Sequence, residues 1–185
     1  WDGSKKLIFA GSDIDPGRYY RFDTATKELG ELVALRPQLA DLKLATVAPV
    51  TFAAKDGTQI AGYVTTPPGG AKTNLPAIIM PHGGPSARDQ WGFDWLAQYF
   101  AQLGYVVLQP NYRGSAGYGQ DYYVKNGFKS WPTAIGDIND GARWLAAQGI
   151  ADPKRTAIVG WSYGGYAALQ AAITEPALYK AVVAI

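Results

Sequence analysis

The sequence predicts an α/β fold: a doubly wound, mostly parallel sheet, cut short, preceded by antiparallel strands. Three observations carry that expectation. Short, near-continuous apolar runs alternate with helical patterns over residues 75–185, as in a parallel sheet covered on both faces. Ahead of them, two alternating runs flank Lys55-Asp56-Gly57-Thr58, an Asp-Gly hairpin turn. Further upstream, residues 1–35 show strand alternation and turn chemistry without a helical period.

In order, Leu7-Ile8-Phe9-Ala10, Arg18–Asp23 and Glu31–Leu35 read as three strands, with a turn at Asp23–Glu28. Three short strands cannot bury a core alone, so residues 1–35 fit part of a β-propeller blade, the alternative being a small β-extension of the domain that follows. Residues 36–49 form a linker, bracketed by Pro37 and Pro49, with a Leu-spaced turn at Leu39, Leu42 and Leu44. The third region is 50–185. It opens with the hairpin Val50–Ala54 and Ile60–Thr65, which Pro67-Pro68-Gly69-Gly70 terminates. Leu75–Met80 is a strand. Trp91–Leu103 is a helix with Trp95, Tyr99 and Leu103 on one face and Leu96 and Phe100 beside them. Tyr105–Pro110 is a strand, and Ile135–Gln148 is a helix with Ile138, Ala142 and Leu145 inward. Arg155–Val159 and Ala181–Ile185 are the remaining strands.

The chain has 185 residues, 48% of them hydrophobic, enough for one domain and part of a second. Its net charge of +2, without a Lys/Arg run, argues against nucleic acid or an anionic membrane as partner. No apolar run reaches the ~20 residues of a membrane span. No cysteine is present, which excludes disulfides and thiol chemistry. The first residues do not read as a signal peptide and the last strand stops in mid-run, so the chain is expected to be a piece of a longer protein.

The chemistry is concentrated at Gly160-Trp161-Ser162-Tyr163-Gly164-Gly165, between a buried strand and an Ala-rich helix. A Gly-x-Ser-x-Gly turn in that setting is the nucleophile elbow of an α/β-hydrolase. Gly160 and Gly164 allow the tight turn, and Ser162 is the candidate nucleophile. A plain Gly/Ser turn is the alternative, disfavoured by the flanking elements and by Pro81-His82-Gly83-Gly84-Pro85 at the end of an upstream strand. Acyl transfer needs two N–H donors for the tetrahedral oxyanion. Tyr163, after the serine, is one candidate, and Gly84, in the glycine-rich loop, is the other. His82 is the single histidine. It precedes the serine, whereas the hydrolase order is nucleophile, acid, histidine. It reads as structural, hydrogen-bonded beneath the loop that Gly83 and Gly84 shape. Arg113, in Asn111–Gly119, reads as an ion-pair or carbonyl-binding residue. Asp137 and Asp140 read as a solvated helix face or a cap.

Together, His82-Gly83-Gly84-Pro85, Asn111–Gly119 and Gly160–Tyr166 resemble the prolyl oligopeptidase family of serine peptidases, especially its acylaminoacyl-peptidase and dipeptidyl-peptidase-like members. The resemblance runs from about Val50 to Ile185, and more loosely over the β-rich start, residues 1–35, which would match the last propeller blade. It implies a propeller that admits only short peptides to a hydrolase domain, acylation of Ser162, and an oxyanion hole of Tyr163 and Gly84 N–H. The triad acid and base would lie downstream of the elbow. Expected partners are short peptide substrates, the remainder of the chain itself and a second copy in a homo-oligomer; no cofactor or metal is expected. A small-ester carboxylesterase and a catalytically incomplete fragment are the competing expectations, the 185-residue piece alone being expected to be inactive.

Overall fold

A computed structural model describes residues 3–70, 72–124 and 130–185; Trp1 and Asp2, at the head of the β-rich start, lie outside it. β1 (Lys5–Ala10), β2 (Arg18–Asp23) and β3 (Leu29–Ala34) form an antiparallel sheet of three strands. The turn after β2 is held by the Asp23 carboxylate, which accepts from the N–H groups of Ala25 and Thr26. β1 is exposed along its whole length, so this sheet buries no core of its own. The β1–β2 loop nevertheless docks on the rest of the chain. The Val47 N–H donates to Asp13 Oδ2 at 2.8 Å, and Gln98 Nε2 donates to the Asp13 carbonyl at 3.0 Å.

The second sheet has the order β4-β5-β7-β6-β8-β9, from β4 (Thr46–Ala53), β5 (Gln59–Thr66), β6 (Leu75–Ile79), β7 (Val106–Asn111), β8 (Ala151–Gly160) and β9 (Ala181–Ala184). β4, β5 and β7 pair antiparallel, and β7, β6, β8 and β9 run parallel. The α-helices among the described residues are α1 (Trp95–Gln102), α2 (Gln120–Tyr123), α3 (Trp131–Ala147) and α4 (Tyr163–Thr174). Period-two alternation divides the sheet between two cores. Ala77, Ile79, Val106, Leu108 and Ile158 face α3 and α4, while Ile78, Met80, Val107 and Val159 face α1. This is the doubly wound arrangement expected.

Several boundaries differ from the sequence reading. β4 begins at Thr46 and contains Pro49, placed above in the linker. β4 is an edge strand, where a missing N–H costs no ladder bond on the open side. The turn in the linker is only Pro37–Leu39, and it is Leu44, not Leu42, that is buried. α1 starts at Trp95, not Trp91, because Asp94 caps it by accepting from Leu96 and Ala97 N–H at 2.9 and 2.8 Å. The face that Trp95, Tyr99 and Leu103 share is turned outward. Trp95, Tyr99 and Leu103 are 56%, 56% and 57% exposed, while Ala97 and Ala101 are 1% exposed. Small side chains let α1 approach the sheet closely. Between them the buried Gln98 amide clamps Ala45, accepting its N–H and donating to its carbonyl. α3 starts four residues earlier than Ile135, with Pro132 in its first turn, where no intrahelical N–H bond is lost.

Candidate active site

The carboxyl ends of β6 and β8 lie side by side, because the two strands pair in parallel. β6 leads to α1 on one face of the sheet and β8 to α4 on the other. The loops that leave neighbouring strands toward opposite faces open a crevice above the sheet, the usual ligand position in such folds. His82-Gly83-Gly84 lies in the first loop and Ser162 in the second.

Ser162 has φ 56° and ψ −120°, a conformation strained for a residue with a side chain. It stands exposed at the head of α4, and its hydroxyl makes no capping hydrogen bond to that helix. Three backbone bonds hold the turn. The Ser162 N–H donates to the Ile185 carbonyl at 2.7 Å, Gly164 N–H to Trp161 O at 2.9 Å, and Tyr166 N–H to Ser162 O at 3.0 Å. The flanking glycines are required by contact. A Cβ on Gly160 would collide with the Gly164 carbonyl, and one on Gly164 with the Pro81 carbonyl. Tyr163 is the first residue of α4, so its N–H is among the four that a helix leaves without an intrahelical acceptor.

The upstream loop meets the elbow at Gly83. A Cβ built there would lie 3.2 Å from the Trp161 carbonyl and 3.4 Å from Ser162 Cβ. Gly84 follows at φ +123° and folds back toward the backbone of Ser86 and Ala87. Beneath, His82 Nδ1 lies 2.7 Å from Gly83 O and Nε2 lies 2.8 Å from Ser115 Oγ. The ring stacks on Tyr112, with centroids 4.4 Å apart and planes at 15°. Burial holds its pKa below the ordinary imidazole value. With both nitrogens engaged below the loop, His82 is not poised as a base.

Arg113 anchors the loop after β7. Its guanidinium donates twice to the Asp137 carboxylate, and its Nη1 reaches Asp56 at 2.5 Å. Asp137 is completely buried, which overturns the solvated-face reading. Asp140 accepts the Lys55 N–H, pinning the β4–β5 hairpin to α3.

Sequence reasoning missed Ser115, the partner of His82, and Asp89. Asp89 lines a cavity of about 270 Å³ that adjoins Gly83, Gly160 and Trp161. Burial, followed by the nearby Asp94 carboxylate, pushes its pKa up to about 7, against a hydrogen bond from Gln109. Nothing local in Ser86–Gln90 signals this, because half-buried Asp89 is held by Gln109 and Asn111 of β7, some twenty positions away.

Comparison with known proteins identifies the family. The model of the prolyl oligopeptidase family matches residues 91–185. Dipeptidyl aminopeptidase BIII of Pseudoxanthomonas mexicana is 36% identical over 159 residues, which is 82% of this chain and 23% of that protein. The acylamino-acid-releasing enzyme of Rattus norvegicus is 29% identical over 135 residues, 73% of this chain and 18% of the relative. Among solved structures, a puromycin-hydrolyzing peptidase of Mycobacterium tuberculosis superposes with a TM-score of 0.79 at 31% identity, covering 98% of this chain and 28% of its own. The acylaminoacyl peptidase of Pyrococcus horikoshii gives a TM-score of 0.76 at 26% identity, covering 95% and 28%. The chain therefore spans about a quarter of the length of these relatives.

Proposed function

The chain belongs to the prolyl oligopeptidase family of serine peptidases, and on that premise we propose that Ser162 is the nucleophile with which the whole protein hydrolyses short peptides. The observation that carries this reading is the strained, exposed Ser162 at the head of α4, directly against Gly83. Ser162 Oγ attacks the scissile carbonyl and passes its proton to a base. The carbonyl oxygen becomes an oxyanion, held by the N–H groups of Tyr163 and Gly84 and favoured by the positive end of α4. The tetrahedral adduct expels the amine, which takes up the proton, and water then hydrolyses the acyl-enzyme.

His82 does not serve as that base, so the acid and base are proposed to come from further parts of the protein. In the same reading, residues 1–35 belong to a propeller blade, 36–49 link it to the catalytic domain, and 50–185 form the first part of that domain. The relatives named as dipeptidyl aminopeptidase and acylamino-acid-releasing enzyme support short peptides, with free or blocked N-termini, as substrates.

The test uses the full-length protein with a fluorophosphonate probe and blocked and free dipeptide and tripeptide substrates. Labelling at Ser162 with peptide cleavage is expected. Labelling elsewhere overturns the assignment, and turnover of esters without peptides would make the protein an esterase.

A further inference from the structure

We propose that Arg88 selects peptides by their C-terminal carboxylate, its guanidinium holding the leaving half of the substrate beside the loop that meets Ser162. The inference rests on the function proposed above for Ser162 and narrows its substrates to short peptides with a free carboxyl end. Arg18, Arg113, Arg143 and Arg155 each lie against a carboxylate, whereas none of the ion pairs among the described residues includes Arg88. The residue is exposed, yet its side chain is held in place. Arg88 Cζ lies over the Tyr118 ring, 5.2 Å from its centroid. Gly117 makes room for it, since at φ +88° an added Cβ would lie 2.5 Å from Arg88 Nη1.

The loop after β7 also fixes the main chain on either side of Arg88. The Ala116 N–H donates to the Ala87 carbonyl at 3.0 Å. One residue past Arg88, the Asp89 N–H donates to Asn111 Oδ1 at 2.7 Å, and Asn111 Nδ2 donates to the Asp89 carbonyl at 3.1 Å. The same Nδ2 donates to the Tyr118 hydroxyl at 2.8 Å. Asn111 is completely buried at the end of β7. One buried amide therefore sets both the backbone beside Arg88 and the ring beneath its guanidinium. A guanidinium so stacked has lost much of its rotamer freedom before a ligand arrives, so less is lost on binding. Stacking covers a face of the plane and leaves the in-plane N–H groups as donors.

Position identifies the ligand. Gly83 meets the elbow, a Cβ there lying 3.4 Å from Ser162 Cβ, and a Cβ on Gly84 would lie 2.7 Å from the N atom of Ala87. Arg88 follows directly, so its backbone stands within about 10 Å of Gly84. Two extended residues span about 7 Å, so a carboxylate one or two residues past the scissile bond falls within reach of the guanidinium. The planar fork of N–H groups matches a carboxylate through two parallel bonds. An unblocked peptide carries a carboxylate at its end, and connectivity puts that end on the amine side of the scissile bond. Arg88 therefore meets the leaving half, whether the N-terminus is free or blocked.

The experiment gives the full-length protein a tetrapeptide as free acid and as C-terminal amide. Its readout is the ratio of kcat/KM for acid over amide within each variant, which cancels any general loss of activity. Wild type is expected to give a ratio of about 10–100, the worth of a charge-assisted bond. The difference should lie in KM, because the carboxylate is held alike in the ground and transition states. Arg88→Met should bring the ratio to within about twofold of one, and Arg88→Lys, with the charge but not the fork, to an intermediate value. A preference that Arg88→Met retains overturns the proposal, since the carboxylate is then held elsewhere. Should Arg88→Met not fold, Gly117→Ala gives a second reading, because its Cβ takes the place of Nη1 and displaces the guanidinium with its charge intact. A ratio lowered by about fivefold or more supports the proposal, and an unchanged ratio overturns it. Absence of Ser162-dependent cleavage of both acid and amide overturns the function, and this step with it. Wild-type cleavage of both with a ratio near one overturns this step alone.

Discussion

Four hydrogen bonds join Arg113 and Asp137: Arg113 Nε donates to Oδ2 at 2.9 Å and to Oδ1 at 3.2 Å, Nη2 to Oδ1 at 2.6 Å, and the Arg113 backbone N–H to Oδ2 at 2.9 Å. One carboxylate on α3 thus fixes both the side chain and the main chain of the loop after β7. The third guanidinium nitrogen extends the link to Asp56 and to Thr58 Oγ1 in the β4–β5 hairpin. Arg113→Ala leaves a buried carboxylate without its counter-charge, and about 3–5 kcal/mol of stability should be lost. Arg113→Lys restores the charge but not the fork, so an intermediate loss is expected. Denaturant midpoints of the full-length protein check this. A shift worth less than about 1 kcal/mol in Arg113→Ala would place Asp137 in contact with water.

Ser162→Ala and Ser162→Gly separate chemistry from strain. Both remove the hydroxyl, and both should abolish fluorophosphonate labelling. Only glycine tolerates φ 56°, ψ −120° without penalty, so Ser162→Gly should gain about 1 kcal/mol over Ser162→Ala. Equal melting temperatures for the two variants would show that the elbow stores no strain.

Gly84→Ala keeps the N–H that the reaction is proposed to use, yet should still impair catalysis. The residue sits at φ +123°, and an added Cβ would lie 2.7 Å from the N atoms of both Ser86 and Ala87. The loop must shift, and Gly83 with it, so a loss in kcat on the order of 10-fold or more is expected by loss of alignment. Wild-type kinetics in this variant would mean that the loop adjusts without moving its donors.

Two half-buried groups give stability opposite pH trends. Asp89 holds its proton up to about pH 7, above its unfolded value. Its contribution is complete below about pH 4 and is lost as pH rises through about 7. Its Oδ2 is buried without a hydrogen-bond partner among the described residues, so charging it finds no compensation. Asp89→Asn removes the titration and should be more stable than the parent above pH 7, on the order of 2 kcal/mol, with the gap closing in acid. His82 acts with the reverse sign. Its folded pKa is depressed, so its contribution is present above about pH 6.5 and declines as pH falls below that. Melting temperatures of parent and Asp89→Asn from pH 5 to 9 would reveal both slopes. Parallel curves would show that Asp89 is ordinarily ionised.

The reach of the sequence follows from where each constraint lies. Gly160, Ser162 and Gly164 are legible because the elbow is local: strand, turn and helix lie within one short stretch. The sheet is legible because Ile78-Ile79 and Val106-Val107-Leu108 must satisfy both faces at once. The outward turn of Trp95 and Tyr99 was not, since α1 has apolar residues on two sides. The buried Gln98 and its bonds to Ala45 decide between them, across more than fifty residues of chain. Asp94 did carry a local signal, an Asp just before a helical run. The burial of Asp137 did not, because Arg113 meets it only once α3 crosses the end of β7.

The bond from Ser162 N–H to the Ile185 carbonyl, with its companion from Ile185 N–H to Gly160 O at 2.9 Å, has a consequence in time. Neither bond can exist until β9 has docked beside β8. A residue held at φ 56°, ψ −120° has no local reason to stay there, so the elbow closes only as that docking is completed. Its strain then lies on the native side of the folding barrier. Ser162→Gly should accordingly slow unfolding while leaving the refolding rate nearly unchanged, a φ-value near zero at this position. The serine would be among the last residues of the sheet to find its place.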